Sequence, residues 1–432
     1  MLHLTVQSGI CEKMVRLQQN KKESNMSIKA ELLAPAGSME KLKTAVHFGA
    51  NAVYLAGKKF GLRAFADNFD DDEIAVAVNY AHKHGVKVYV TLNIFASEGD
   101  FDALADYLKV LEAAKVDAVL VSDPGVFDFV RSHSGLPIHI STQANTTNKY
   151  AVNFWRKQGA ERVVLAREVP LWEIAKIHEF CPDTEIECFV HGAMCVSYSG
   201  RCLMSNYLTG RNSNRGECVQ ACRWKWEVRE VSREDSLPVE EDERGTYIFN
   251  SKDMNMLAHL PELLGAGVVS CKVEGRMKSA FYAATVVNAY RKALDAIEQG
   301  CFSEELCAEL NTELNKASHR DYTTGFYFDE DETRQYYLSS KAVEEYKFFA
   351  VVREVREDGY IVVEQRNKFV IGDELETLSV TDAHNKTFTV TDARDENGAP
   401  LEVMNKVKQI VRINCPYRLA AGDILRKKND NE

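Results

Sequence analysis

Four cysteines fall within a short stretch, Cys195, Cys202, Cys218 and Cys222, in the spacing C-x6-C-x15-C-x3-C. Their neighbours are Ser, Tyr, Gly, Asn and Arg, residues that form loops more readily than cores. Three kinds of chemistry compete for such a set. Four unrelated buried thiols would need an apolar context, which is missing. A structural zinc site usually pairs cysteines about two to four residues apart, and only Cys218 and Cys222 satisfy that. An iron–sulfur cluster is also held by four thiolates and tolerates irregular spacing. Soft sulfur donors suit either metal.

The same stretch carries Arg201, Arg211, Arg215 and Arg223. Guanidinium groups beside thiols lower the thiol pKa and offset the negative charge of a four-thiolate site. They also suit RNA phosphates, and the plain alternative is solvated surface.

The elements around this stretch must position it. From Glu31 the chain alternates strand-length apolar runs with amphipathic segments. The runs are ELLAPAG (31–37), AVYLAG (52–57), KVYVTLN (87–93), AVLVSD (118–123), IHISTQ (138–143), RVVLAR (162–167), IECFVHG (186–192), TYIFNSKD (246–253) and SCKVEGR (270–276). They are rich in β-branched residues, as strands buried on both faces are. Helical patterns lie between them, such as 71–85, 102–115 and 281–300. A weak repeat, in which a helix ends on small residues and a buried strand begins, recurs at 49–57, 113–123, 159–167 and 265–275.

Repeated βα units of this kind predict a (β/α)8 TIM-barrel-like catalytic domain. Nine runs compete for its eight positions, so one is a loop strand or an insertion. The cysteine stretch interrupts the barrel between the seventh and eighth runs, at 193–245. An insertion after a barrel strand lies over the C-terminal face, where barrel active sites are built. From residue 346 the text changes to short alternating strands separated by turn residues, which predicts a small antiparallel β-barrel. The expected organisation is an unpatterned extension at 1–29, an α/β catalytic domain at 30–318, a linker at 319–345 and a β domain at 346–432. Met26 is an alternative start.

The totals bound the function. The 432 residues carry a formal net charge of −11, which argues against a protein that coats nucleic acid non-specifically but allows a local basic surface. No apolar run approaches the roughly 20 residues of a membrane span, and the first 25 residues lack the pattern of an export signal. The expectation is a cytoplasmic protein without membrane contact. In that compartment the eleven cysteines stay reduced. Cys11, Cys181, Cys301, Cys307 and Cys415 read as core thiols.

The segment ECFVHGAMCVSYSGRCLMS (187–205) resembles the signature of the collagenase-like peptidases, peptidase family U32. ELLAPAG, GANAVYLAG, STQANTTN (141–148), NRGECVQACRW (214–224) and KVEGRMKS (272–279) agree with it in order, so the resemblance spans nearly the whole chain from about residue 30. The family name implies proteolysis, yet the sequence shows no Ser-His-Asp order, no HExxH helix and no thiol with a matched base. What the resemblance implies instead is oxygen insertion. Members similar to this chain hydroxylate the wobble uridine of tRNA to 5-hydroxyuridine using prephenate, and other relatives hydroxylate a quinone ring or an rRNA cytidine. The resemblance further implies an oxygen-sensitive [4Fe-4S] cluster on Cys195, Cys202, Cys218 and Cys222, with zinc as the alternative metal. Cys271 is a possible replacement ligand whose plain alternative is a buried strand residue. The β domain and the chain length are similar to the tRNA branch, which names tRNA, prephenate and a paralogous family subunit as candidate partners. A peptidase and a non-catalytic RNA-binding protein with structural zinc remain the rivals.

The strand ends at the barrel mouth supply the remaining candidates: Asn93, Asp123, Gln143, Arg167, His191, Asp253, Glu274 and Arg276. Of these, His191 suits a proton donor or a partner of the metal ligands, and Arg167, Glu274 and Arg276 complete the catalytic set. Glu274 and Arg276 could instead pair with each other. Prephenate carries two carboxylates and calls for paired cations, for which Arg63, Arg167, Arg201 and Arg276 are available. Arg201, Arg211, Arg215 and Arg223, with Arg63, are the RNA- and substrate-binding candidates. Tyr198, Tyr207, Trp224 and Trp226 could stack bases. Arg412, Arg418 and the terminal RKK of the β domain could hold the body of a tRNA.

Overall fold

The computed structural model describes residues 29–61, 68–195, 197–224, 241–242, 245–246, 252–328 and 343–429. Seven of the apolar runs form consecutive parallel strands, β1 (Glu31–Pro35), β2 (Ala52–Leu55), β3 (Lys87–Leu92), β4 (Ala118–Val121), β5 (Ile138–Ile140), β6 (Arg162–Val164) and β7 (Glu185–Ala193). A short strand β8 (Asp253–Asn255) follows, and then β9 (Val268–Val273). β9 pairs in parallel with both β7 and β1, through Cys271 opposite Cys188 and Leu32, and so closes an eight-stranded barrel.

The surplus ninth run is thereby explained. Its described end, β8, runs antiparallel to the extended end of β7, with Asn255 opposite His191. It belongs to the insertion and not to the barrel wall. On its other side β8 pairs with β10 (Tyr322–Thr323). The first part of the segment expected as a linker is therefore woven onto the barrel, with Tyr327 buried and its hydroxyl donating to the Phe189 carbonyl at 2.6 Å.

The helices start and stop where side-chain chemistry requires. α1 (Met39–His47) begins at Ser38, whose hydroxyl accepts the Lys41 N–H. α2 (Asp71–Lys83) opens with a capping box between Asp70 and Glu73, which satisfies two otherwise orphaned donors. α3 (Phe101–Ala114) ends on Lys115 in the left-handed region. α4 (Pro124–His133) is capped by Asp123, which accepts from Gly125 and Val126. Asp123, a candidate at the mouth, is thus a helix cap. α5 (Lys149–Gln158) and α6 (Leu171–Phe180) continue the ring.

The barrel interior is charged at its lower end. Arg162 donates to Glu187 at 3.1 Å and also pairs with Glu31, while Lys272 meets Glu187 at 2.7 Å. Ser270 and Tyr89 donate to Glu31 at 2.9 and 2.7 Å. Burial alone would raise the Glu187 carboxyl, but Lys272 and Arg162 outweigh it and hold the group at about 2. Removing one partner would strand a buried charge, the costly way to break such a set.

The β domain is a seven-stranded antiparallel sheet curled over its own core, from Phe349 and Val363 to Leu425. It was expected as a small antiparallel β-barrel, and its described strands form a curled antiparallel sheet. It docks on α1 and α10 (Glu304–Asn315) through ionic contacts, and its Phe348 stacks on Phe281 of α9 (Ala280–Glu298). Arg426, fully buried, donates to Glu313 at 2.5 and 2.9 Å and to Glu376 at 2.8 Å. Lys316 meets Glu376 at 2.7 Å, and His47 of α1 meets Asp423 at 2.8 Å. This corrects one expectation. Arg426 of the terminal RKK holds the two parts of the molecule together, and Lys427 pairs with Asp373 at 3.1 Å, so neither presents a bare cation to RNA.

Candidate functional site

Near the end of β7, Gly192 lies at φ +106°, where a Cβ would stand 2.4 Å from the Glu274 carbonyl oxygen. Only glycine lets the end of β7 lie this close to the end of β9. The Glu274 N–H donates to the His191 carbonyl at 2.8 Å, which fixes Glu274 at the barrel mouth. The chain then rises across the mouth as the cysteine-bearing insertion. It contains a short helix, α7 (Met204–Thr209), and two tight turns at Ser213–Arg215 and Ala221–Arg223.

Specific contacts hold this roof. Arg215 makes a two-pronged bond to Asp100 at 2.8 and 3.0 Å and donates to the Phe95 carbonyl at 2.7 Å. The Arg215 hydrogen bond keeps the Asp100 carboxyl well below the usual range. Ser213 and Asn214 donate to the Cys202 carbonyl at 2.7 and 3.3 Å. Gly200, at φ +73°, sits directly on Gln143, whose Oε1 would be 2.5 Å from any Cβ there. Arg215 is thus a strut within the protein, which corrects its expected place among the RNA-gripping arginines.

Two adjoining cavities lie beneath the roof, of about 120 and 300 Å³. Arg167, Cys195, Cys218 and Glu274 line both. Cys202 opens into the first and Cys222 into the second. The first, on the barrel axis, adds Asn93, Ser141, Gln143, Lys272 and Arg276; the second adds Lys278 and Arg320.

Arg167 is the hub. It donates to Ser199 of the roof at 3.1 Å, pairs with Glu274 at 3.1 Å and lies 3.7 Å over the Phe189 ring. Glu274 was read as a catalytic group or, alternatively, a partner of Arg276; the structure pairs it with Arg167. Arg276, buried, donates to Thr91 at 3.3 Å. Lys272 lies 4.5 Å over the Tyr54 ring. Three cations therefore face the first cavity, with Glu274 the one carboxylate among its described lining residues.

The four insertion cysteines all face this mouth, and none is packed into the core: Cys195 is exposed and Cys202, Cys218 and Cys222 are half-buried. Among the described residues no three Cys, His, Asp or Glu side chains stand together as a metal site. The sulfurs share connected space but do not converge as the sequence suggested. In kind they suit a metal cluster, since they are soft donors in a region of positive charge, and the Gln220 N–H points at Cys218 Sγ from 3.4 Å. Cys271 does not compete with them. It is fully buried in β9, where desolvation pushes its thiol up to about 12. Cys181 and Cys415 are buried as expected and Cys307 is half-buried, but Cys301 is exposed, beyond the end of α9. Cys11 lies outside the described residues.

His191 is a further correction. It lines neither cavity. Its buried ring packs among Tyr282, Tyr290 and Tyr322, with Nδ1 3.4 Å from the Tyr290 hydroxyl. Burial holds it at about 3, so it is neutral and structural. Asp253 is likewise buried, accepting from the Arg320 N–H at 3.2 Å. Arg201 and Arg211 are exposed on the roof, Tyr198 lines the first cavity, and Tyr207 and Trp224 are exposed. Arg63, Trp226 and the Arg223 side chain lie outside the described residues. Sequence reasoning missed Lys272, Phe189 and Ser199. Lys272 left a signal, a lysine inside the otherwise buried run SCKV.

A closed parallel barrel whose strand ends are roofed by a cysteine-bearing insertion defines a (β/α)8-barrel protein with its site at the mouth. Residues 37–336 match the model of Peptidase family U32, and residues 344–426 match that of the Peptidase family U32 C-terminal domain. The chain belongs to this family. It is 40% identical over 402 residues to tRNA hydroxylation protein P1 of Bacillus subtilis (strain 168), covering 92% of this chain and 95% of that protein. It is 35% identical over 444 residues to tRNA hydroxylation protein P of Escherichia coli (strain K12), covering 93% and 97%. It is also 30% identical over 308 residues to a protein named collagenase from Porphyromonas gingivalis (strain ATCC BAA-308 / W83), covering 69% and 73%. No helix among the described residues is long and apolar enough to cross a membrane.

Proposed function

We propose that this protein is an RNA-modifying enzyme that hydroxylates tRNA, converting the wobble uridine to 5-hydroxyuridine. The reading includes a [4Fe-4S] cluster on Cys195, Cys202, Cys218 and Cys222 and prephenate as co-substrate. The observation that carries it is the lining of the mouth, where the insertion cysteines share two cavities with Arg167, Lys272, Arg276 and Glu274. The two relatives matched over more than nine-tenths of the chain, both named for tRNA hydroxylation, support the same reading.

Replacing the C5–H of uracil by C5–OH is a two-electron oxidation of the base; prephenate, as co-substrate, would supply the oxygen atom and take up the two electrons, and a bound cluster would supply the redox catalysis that ordinary side chains lack. The chain's own residues bind and orient. Arg167 and Arg276 offer the paired cations that a dicarboxylate needs, with Lys272, held by Glu187, beside them. Asn93, Ser141 and Gln143 offer donors and acceptors to the edge of a pyrimidine. Glu274 accepts from Arg167 and keeps that guanidinium turned toward the cavity. An anticodon loop is already single-stranded, so the target base enters at little unpairing cost. Acting on tRNA fits a cytoplasmic protein, with a paralogous family subunit as a further candidate partner.

The rivals are weaker on the same ground. Among the described residues no histidine lines either cavity, so a Ser–His or Cys–His peptidase finds no such base among them. A structural zinc site is closed on itself, whereas these thiols open onto cavities.

The test is nucleoside mass spectrometry of tRNA from cells lacking the gene and any redundant pathway. Loss of 5-hydroxyuridine and its derivatives, restored by the wild-type chain, is expected. Unchanged levels would reject the hydroxylase reading.

A further inference from the structure

The helix α7 is inside out. A helix that serves only to fill a fold buries its apolar residues and exposes its polar ones. In α7 the buried residue is Ser205, 1% exposed, whose hydroxyl accepts the Val219 N–H at 3.3 Å. Leu203, at its N-cap, is 52% exposed, Leu208 is 44% exposed and Tyr207 is 82% exposed. Leu203 and Tyr207 are four residues apart and joined by the Tyr207 N–H to the Leu203 carbonyl at 3.0 Å, so they share one outward stripe.

The charge around this stripe is as unusual as its polarity. Residues 195–216 contain Arg201, Arg211 and Arg215 and not one acidic residue, in a chain of formal net charge −11. Arg215 pairs with Asp100, and Arg201 and Arg211, which flank α7, are exposed. The stripe is also continuous with the site, because Tyr198, Gly200 and Cys202 of the same segment line the first cavity.

We infer that the outward face of α7, led by Tyr207 and flanked by Arg201 and Arg211, is a stacking platform for single-stranded RNA. It receives nucleotides flanking the base that enters the cavity. An aromatic ring stacks on any base, and guanidinium groups reach the neighbouring phosphates. A lipid surface would call for a broad apolar face with a strongly charged face opposite, more than the six residues of α7 carry. The inference rests on the RNA-modifying reading and names how that site grips its substrate.

The test uses the full-length chain with a fluorescent anticodon stem-loop oligonucleotide, read by anisotropy, and the size of the protein alone, read by sedimentation. Tyr207→Ala weakens binding about tenfold, the order expected for one lost base stack, and Tyr207→Phe restores it. Charge reversal at Arg201 or Arg211 steepens the loss at low salt. Unchanged RNA affinity in Tyr207→Ala overturns the platform, whether or not hydroxylation persists. So does a wild-type dimer that becomes a monomer in Tyr207→Ala with RNA affinity intact, which would make the face a contact between copies. If the wild type binds the oligonucleotide through Tyr207 but cells lacking the gene keep their 5-hydroxyuridine, the platform stands and the hydroxylase reading falls.

Discussion

Arg167 and Glu274, from the ends of different barrel strands, meet at 3.1 Å and form the wall that two cavities share. The same guanidinium holds Ser199 of the roof and covers the Phe189 ring. One side chain thus ties the barrel floor, the last strand and the cysteine-bearing insertion into one site.

Arg167→Lys tests that role. Lysine keeps the charge but has no planar fork to serve a carboxylate and a hydroxyl together, and it stacks less well on an aromatic ring. Hydroxylation of a tRNA transcript should fall about a hundredfold, as expected for a misplaced site, with the thermal midpoint nearly unchanged. Wild-type turnover in this variant would remove Arg167 from the site.

His191→Phe separates structure from catalysis. The folded pKa of His191, about 3, lies below the ordinary value of 6.5. As pH falls from about 6.5 toward 3 the unfolded chain takes up its proton first, and stability is lost over that window. The variant should flatten this part of the stability–pH curve in urea titrations and keep its activity per folded molecule. A loss of turnover in a well-folded variant would return His191 to the chemistry.

The docking of the β domain should be acid-labile. Burial raises the Glu313 carboxyl, but Arg426, Lys316 and His384 outweigh that and hold it at about 2, against 4.5 ordinarily. A depressed carboxylate contributes stability that is complete above about 4.5 and lost as pH falls toward 2. Glu313→Gln should cost about 3 kcal/mol at neutral pH, because buried Arg426 then keeps only Glu376, which it shares with Lys316, as its carboxylate among the described residues. The same variant should lose most of the acid sensitivity in that window. Unfolding curves followed by tryptophan fluorescence between pH 2 and 7 measure both effects.

The cysteines divide into two classes by position. Cys222→Ser should lower the iron and sulfide bound by anaerobically purified protein, because the side chain lines the second cavity. Cys271→Ser should leave iron content intact and cost stability, since a hydroxyl replaces a thiol deep in β9. The reverse pattern would exchange their roles.

Much of this was legible in the residues. Strands buried on both faces announce themselves as continuous apolar runs, and the helices between them carry ordinary caps, so the barrel and most of its boundaries could be read directly. The position of the insertion followed from strand counting, and with it the placement of Cys195, Cys202, Cys218 and Cys222 at the mouth. What stayed hidden depended on which partner a charged group finds. Arg215 turned inward to Asp100, Arg426 to Glu313 and Glu274 to Arg167, because long-range pairing leaves no local pattern. His191 stands at a strand end like the true mouth residues, yet the return of β8 along β7 and the packing of α9 seal it away. The inverted polarity of α7 became visible only once its buried side was known to be Ser205.

The central claim is that the cysteine-lined mouth carries out RNA hydroxylation. The most direct measurement incubates anaerobically purified protein with an unmodified tRNA transcript and prephenate, then analyses the nucleosides by mass spectrometry. The account predicts 5-hydroxyuridine at the wobble position with the wild type and none with folded Cys202→Ala. Equal product from the two proteins would contradict it, as would no product from wild-type protein loaded with iron and sulfide.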